Sequence, residues 1–90
     1  MQFVFDHEKS KSNKKKHGID FYEAQYLFND PNLVQLPSLY LDEERFIAIS
    51  TIQGKYFSAI FTYRNGDIRL ISVRRSRERE IKIYDDNKGN

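Results

Sequence analysis

The sequence predicts an α+β domain in which helices come first, a mostly antiparallel sheet second, and one closing helix packs back on that sheet. Three observations carry this. Apolar residues recur at helical spacing behind a capping box at Asp20 and Glu23; from Leu33 onward the period shortens to two; after Val73 it lengthens again. With 90 residues and no internal repeat, low-complexity linker or break in composition, residues 1–90 are expected to form a single domain.

Taken in order, Gln2 to Phe5 reads as a short opening strand. His7 to Lys16 contains no apolar residue, so periodicity is silent there. Asp6 could cap a helix and Glu8 would suit its first turn, which leaves a solvated helix and a charged arm as the two readings. The Asp20 box opens a helix whose Phe21, Ala24, Leu27 and Phe28 share a stripe, and Asn29-Asp30-Pro31 ends it. Strands are expected near 33–40, 45–52, 56–63 and 68–73, the last three joined as an antiparallel meander through Gln53-Gly54 and Asn65-Gly66. Period two on the last strand puts Arg69 and Arg75 on one face and Arg74 on the other. Ser76 is placed as the cap of the closing helix, which shares Ile81, Tyr84 and the Arg77 stem on one face, with 85–90 as a frayed polar tail.

Composition excludes several classes of function. Hydrophobic residues make up 39% and aromatics 14%, enough for a modest core and too much for a disordered chain. The absence of cysteine removes disulfides, thiolate metal sites and cysteine nucleophiles, and suits a reducing cytoplasm. No apolar run is long enough to span a membrane and the N-terminus lacks a signal-type segment, so a soluble cytoplasmic protein is expected. The net charge is only +2, but cations cluster between Lys9 and Lys16 and between Arg74 and Arg79, which favours a polyanionic partner.

The chain has no GxxxxGK[ST], GxGxxG, HExxH or GxSxG motif. His7 and His17 stand ten residues apart with no third imidazole, so neither a metal nor any other cofactor is expected. The carboxylates at Asp42, Glu43 and Glu44 and at Asp85 and Asp86 fall in turns or tails, where solvation accounts for them. Lys9, Asn13, Lys16 and His17 follow steps of four, three and one, which would align them along one side of a helix. Cleavage of a phosphodiester through the ribose 2′-hydroxyl needs a base, an acid and cations for the phosphorane, and Lys, His and Arg can supply all three. A solvated charged face would also explain the run. Arg69, Arg74, Arg75, Arg77 and Arg79, interleaved with Phe61, Tyr63 and Tyr84, form either a surface for phosphates and bases or a charged edge strand protected against aggregation.

The order FxFDxxKxxxNxxKHGIDFYEAxxLFxDP, then EERFIAI, then IRLISVRRSxxRE and a late Tyr closely resembles the BrnT toxin family, over about Phe3 to Tyr84. Its most specific piece is Lys16-His17-Gly18 running into the capped helix. Small departures stand at Val73 and Ser76, where the family more usually has alanine; larger ones are Ser10, Ser12, Lys14 and Lys15, where it often has alanine or leucine. The resemblance implies a RelE/ParE-like fold, a metal-independent endoribonuclease acting on RNA through the 2′-hydroxyl, and a BrnA-type antitoxin of the ribbon-helix-helix DNA-binding kind, through which alone DNA is contacted. It implies Lys16, His17, Arg69, Arg74 and Arg75 as the catalytic set, with Lys9, Asn13, Arg45, Glu80 and Tyr84 binding RNA or antitoxin. The catalytic cations are expected on one concave surface that the antitoxin covers. The competing readings are a basic nucleic-acid-binding domain without catalysis and a protein-interaction module.

Overall fold

A computed structural model describes residues 2–38 and 44–88. Strand β1 (Phe3–Val4) leads into helix α1 (His7–His17), then α2 (Phe21–Ala24) and a 3-10 turn (Gln25–Asn29); β2 (Val34–Ser38), β3 (Arg45–Ile52), β4 (Lys55–Arg64) and β5 (Asp67–Arg75) follow, and α3 (Glu78–Asn87) closes the chain. The sheet runs β1-β5-β4-β3-β2. The β3-to-β5 meander is antiparallel as expected, β2 extends it by pairing antiparallel with β3, and both tight turns have positive φ at both central residues, Gln53-Gly54 and Asn65-Gly66. The opening strand adds parallel to β5, with Phe3 opposite Ile68, which makes the sheet mixed. The far end of the expected strand 33–40, like Asp42 and Glu43, lies outside the described residues.

The charged segment is a helix. Asp6 Oδ1 accepts the amide hydrogens of Glu8 at 2.8 Å and Lys9 at 3.2 Å, and Gly18, at φ 77°, closes the other end with its N–H on the Lys14 carbonyl. Its buried line is polar: Ser10 and Asn13. Because β1 reaches only Ile68 and Arg69, the rest of β5 is an edge. Asn13 covers it as a neighbouring strand would, donating to the Val73 carbonyl at 2.8 Å and accepting the Val73 N–H at 3.1 Å, while Nδ2 also reaches the Ile19 carbonyl. Ser10 Oγ accepts the Phe21 N–H at 2.9 Å, so α1 also fixes the start of α2.

The Asp20–Glu23 box is present, but the expected single helix over 20–29 is α-helical for only four residues before tightening into the 3-10 turn. That tightening still carries Leu27 inward beside Phe21 and Ala24, against Phe57, Ala59, Phe61, Leu70 and Val73 of the sheet. Phe28 meets Phe61 edge-on at 5.3 Å.

The opposite face of the sheet carries α3, packed on β2 and β3. Two expectations are corrected there. The N-cap is Arg77 rather than Ser76, because Ser76 still donates its N–H to the Tyr56 carbonyl of β4, and Glu80 returns its carboxylate to the Arg77 N–H at 2.8 Å. Helix α3 also continues to Asn87, so Asp85 to Asn87 are ordered rather than frayed; residues 89–90 lie outside the described residues. A single carboxylate ties the layers together. Asp30 Oδ2 accepts from Tyr84 of α3 at 2.7 Å and from the Thr51 amide and hydroxyl of β3 at 3.1 Å each, and Ser50 shares its one proton between the Leu27 carbonyl at 2.6 Å and this oxygen at 3.1 Å. Partial burial pushes the Asp30 carboxyl up, but the hydrogen bonds from Tyr84, Asn32, Thr51 and Ser50 outweigh it and leave it below its ordinary value.

Candidate active site

The arginines of β5 are sorted by a β-bulge. Opposite β4 the register runs Thr62 to Arg69 and Phe61 to Leu70, then slips by one so that Ile60 faces Ser72, Ser58 faces Arg74 and Phe57 faces Arg75. Directly opposed residues point to the same side of a sheet. Ser58, Ile60 and Thr62 alternate with the core residues Phe57, Ala59 and Phe61, so Arg69 and Arg74 stand together on the α3 face and Arg75 stands on the other. The expected partition, Arg69 with Arg75 against Arg74, is therefore wrong: strict period two fails across the extra residue Ile71. Arg75 lies over the Phe57 ring at 5.5 Å and reaches the Tyr56 carbonyl with Nε at 3.3 Å.

On the α3 face, Arg45, Arg74, Arg77 and Arg79 surround an open cleft of about 300 Å³ whose floor includes Ile60 and Ile71. Its best-ordered feature is a bidentate pair. Arg74 Nη1 donates to Glu80 Oε1 at 2.8 Å and Nη2 donates to Oε2 at 2.9 Å. Oε1 also accepts from Ser58 Oγ at 2.9 Å and from the Arg77 amide. The Arg74 guanidinium, against the opposing cost of burial, holds the Glu80 carboxyl down to about 2, with help from Arg77 and Ser58. Glu80 is thus a fixed anion that orients Arg74; a carboxylate this acidic is a poor general base.

Helix α1 borders the other side of β5. Its Lys14 flank lies against α2, where Nζ meets Glu23 Oε1 at 2.7 Å. Lys9 and Lys16, seven residues apart, lie along the opposite flank, turned from the α2 layer toward the side where Arg69 and Arg74 emerge. The charge of Arg69 also acts on Asp6, whose carboxyl is lowered chiefly by its cap bonds to Lys9 and Glu8. Lys16 and His17 are exposed in the last turn, and among the described residues neither side chain has a hydrogen-bond or ion-pair partner. The structure therefore brings Arg45, Arg69, Arg74 and Glu80 to one face and puts Arg75 behind it, with Lys9 and Lys16 on the flank of α1 away from Lys14. Asn13 and Tyr84, expected as contacts for RNA or antitoxin, are buried at 6% and 2% exposure and act as anchors of the fold.

Sequence reasoning missed Ser58 and Asp30. A serine inside an apolar strand and an aspartate before proline carry no signal of a shared carboxylate network. Among the described residues, no three of His, Cys, Asp and Glu gather into a set that could hold a metal ion, and no helix is long and apolar enough to cross a membrane.

Comparison with curated protein sequences returns no match. The family model for the ribonuclease toxin BrnT of type II toxin–antitoxin systems matches residues 5–80, a span that takes in α1, the whole sheet from β2 to β5 and the Arg74–Glu80 pair. The chain belongs to that family: it is a BrnT ribonuclease toxin of a type II toxin–antitoxin system.

Proposed function

We propose that the chain is an endoribonuclease with a RelE/ParE-like fold that cuts RNA without a metal ion, by attack of the ribose 2′-hydroxyl on the adjacent phosphorus. The observation that carries this reading is the gathering of Arg45, Arg69 and Arg74 on one open face, with Arg74 locked in plane by Glu80. In the reaction the 2′-oxygen forms a bond to phosphorus, the bond to the 5′-oxygen breaks, and a proton passes to that leaving oxygen, giving a 2′,3′-cyclic phosphate and a 5′-hydroxyl. Arg69 and Arg74 hold the phosphate and stabilise the charge that builds on its oxygens. Lys16 or His17 removes the 2′-hydroxyl proton; an imidazole can both take and return one near neutrality. Arg75, on the opposite face, has no part in holding this phosphate. A cleft walled by guanidinium groups repels a divalent cation, which supports chemistry carried by side chains alone.

The same reading assigns silencing to a BrnA-type antitoxin of the ribbon-helix-helix kind that covers the arginine face in the cytoplasm, and through which the pair meets DNA. The decisive measurement is cleavage of single-stranded RNA by the purified protein in EDTA, with a parallel substrate carrying 2′-deoxyribose at the cut. Cutting that survives EDTA and stops at the 2′-deoxy position is expected. Loss of cutting in EDTA, or equal cutting of the 2′-deoxy substrate, would overturn the mechanism.

A further inference from the structure

Glu80 is nearly saturated with donors, and this sets the direction of a hydrogen-bond chain behind it. An ionised carboxylate only accepts, so in the 2.9 Å contact with Glu80 Oε1 the Ser58 hydroxyl must be the donor. A hydroxyl has one proton. Ser58 Oγ also lies 2.8 Å from Ser76 Oγ, a contact whose donor the heavy atoms leave open, and with the Ser58 proton committed to Glu80 the donor there is Ser76. The order is therefore Ser76 to Ser58 to Glu80, with Arg74 donating to both carboxylate oxygens from the other side.

We propose that Ser58 and Ser76 are positioning residues for the ribonuclease reaction, a hydroxyl relay that fixes the Glu80 carboxylate and through it the plane of the Arg74 guanidinium. Ser58 is fully buried on β4 and directly opposite Arg74 in the register, so the hydroxyl and the guanidinium grip the same carboxylate from adjacent strands. Ser76 sits in the link between β5 and α3. Its hydroxyl is the second link of the relay, which an alanine there could not supply. Neither serine touches the cleft's substrate side; both act through Glu80. A bidentate guanidinium depends on having both carboxylate oxygens in one plane, and a donor on Oε1 opposite Arg74 resists rotation of that plane.

The inference rests on the assignment of Arg74 to the scissile phosphate, and the test separates the two. It uses the full chain on a single-stranded RNA, comparing wild type, Ser58→Ala, Ser76→Ala, Arg74→Ala and the Ser58→Ala/Arg74→Ala double variant for kcat, KM and Tm. Ser58→Ala should lower kcat roughly tenfold with KM little changed, the pattern of an interaction felt in the transition state. Ser76→Ala should lower it roughly threefold, and Ser58→Ala should cost nothing more once Arg74 is gone. A Ser58→Ala loss of equal size in both backgrounds overturns the relay alone, as does a fall in Tm with kcat unchanged in both serine variants. A wild-type kcat in Arg74→Ala overturns the phosphate assignment and the relay with it.

Discussion

Helix α1 lies along the β5 edge and buries two neutral side chains, Ser10 and Asn13, whereas α3 lies across β2 and β3 and buries Tyr84 and Glu80, the first bonded to Asp30 and the second to Arg74. Both helices are attached by polar groups rather than by a broad apolar stripe, yet the chemistry differs. An amide offers a donor and an acceptor together, which is what the exposed N–H and C=O of Val73 require. A carboxylate offers only acceptors, and it converges many donors on one point: three on Asp30 Oδ2 besides the shared Ser50 proton, three on Glu80 Oε1. The first kind of anchor is indifferent to acid and the second fails once acid protonates its carboxylate.

The sharpest way to break the α1 side is Asn13→Leu. It keeps the branched skeleton but leaves the Val73 N–H and two carbonyls without their partner, for a loss of about 4 kcal/mol. Thermal unfolding should shift down by on the order of 15 °C, and a shift of only one or two degrees would mean that water replaces Asn13 at the edge.

Acid should break the α3 side next. The Glu80 carboxyl ionises at about 2 in the fold against an ordinary 4.5, so its contribution is present above the ordinary value and disappears as pH falls from there toward 2. Asp30 acts in the same direction. The Glu80 shift alone makes about 3 kcal/mol acid-sensitive. Amide exchange measured as pH falls through that window should show α3 losing protection before the Asn13 contact does; simultaneous loss would erase the distinction. The exposed Asp6 cap, also lowered, should affect only the first turn of α1.

Tyr84→Phe removes one hydroxyl from the Asp30 cluster and keeps the ring packed edge-on to Tyr56 at 5.5 Å. A loss of about 2 kcal/mol in urea unfolding is expected, with a wild-type m-value. Smallest of all, Lys15→Ala on the outer face of α1 should change stability by less than about 0.5 kcal/mol, because the side chain is exposed and unpaired among the described residues. A larger loss would show that α1 depends on more than its two buried anchors.

The contrast also explains what could be read in advance. The meander was legible because Asn65-Gly66 and Gln53-Gly54 demand positive φ and the strands between them alternate. The Asp20 box was legible for a similar local reason. Helix α1 was not, since its stability comes from two polar contacts with β5 and α2 that leave no periodicity in the segment itself. In the site, the clustered arginines were visible as residues, but their sorting depended on a bulge that no single-strand pattern announces. The Ser58–Glu80 contact spans 22 positions and two elements, beyond any local motif.

The bulge at Ile71 behaves like a reading frame for side chains. Upstream and downstream of it the same alternation means opposite things, so Arg69 and Arg74, an odd number of residues apart, are delivered to the same surface and each apolar residue still finds the core. Deleting that one residue would restore an unbroken strand and turn everything upstream of it over. Relative to Arg74 and the Glu80 it grips, Arg69 would then pass from the α3 face to the packed side and Leu70 from the core to the open one. The arginine face and the hydrophobic core thus share one point of failure, and a single-codon loss there would damage both together.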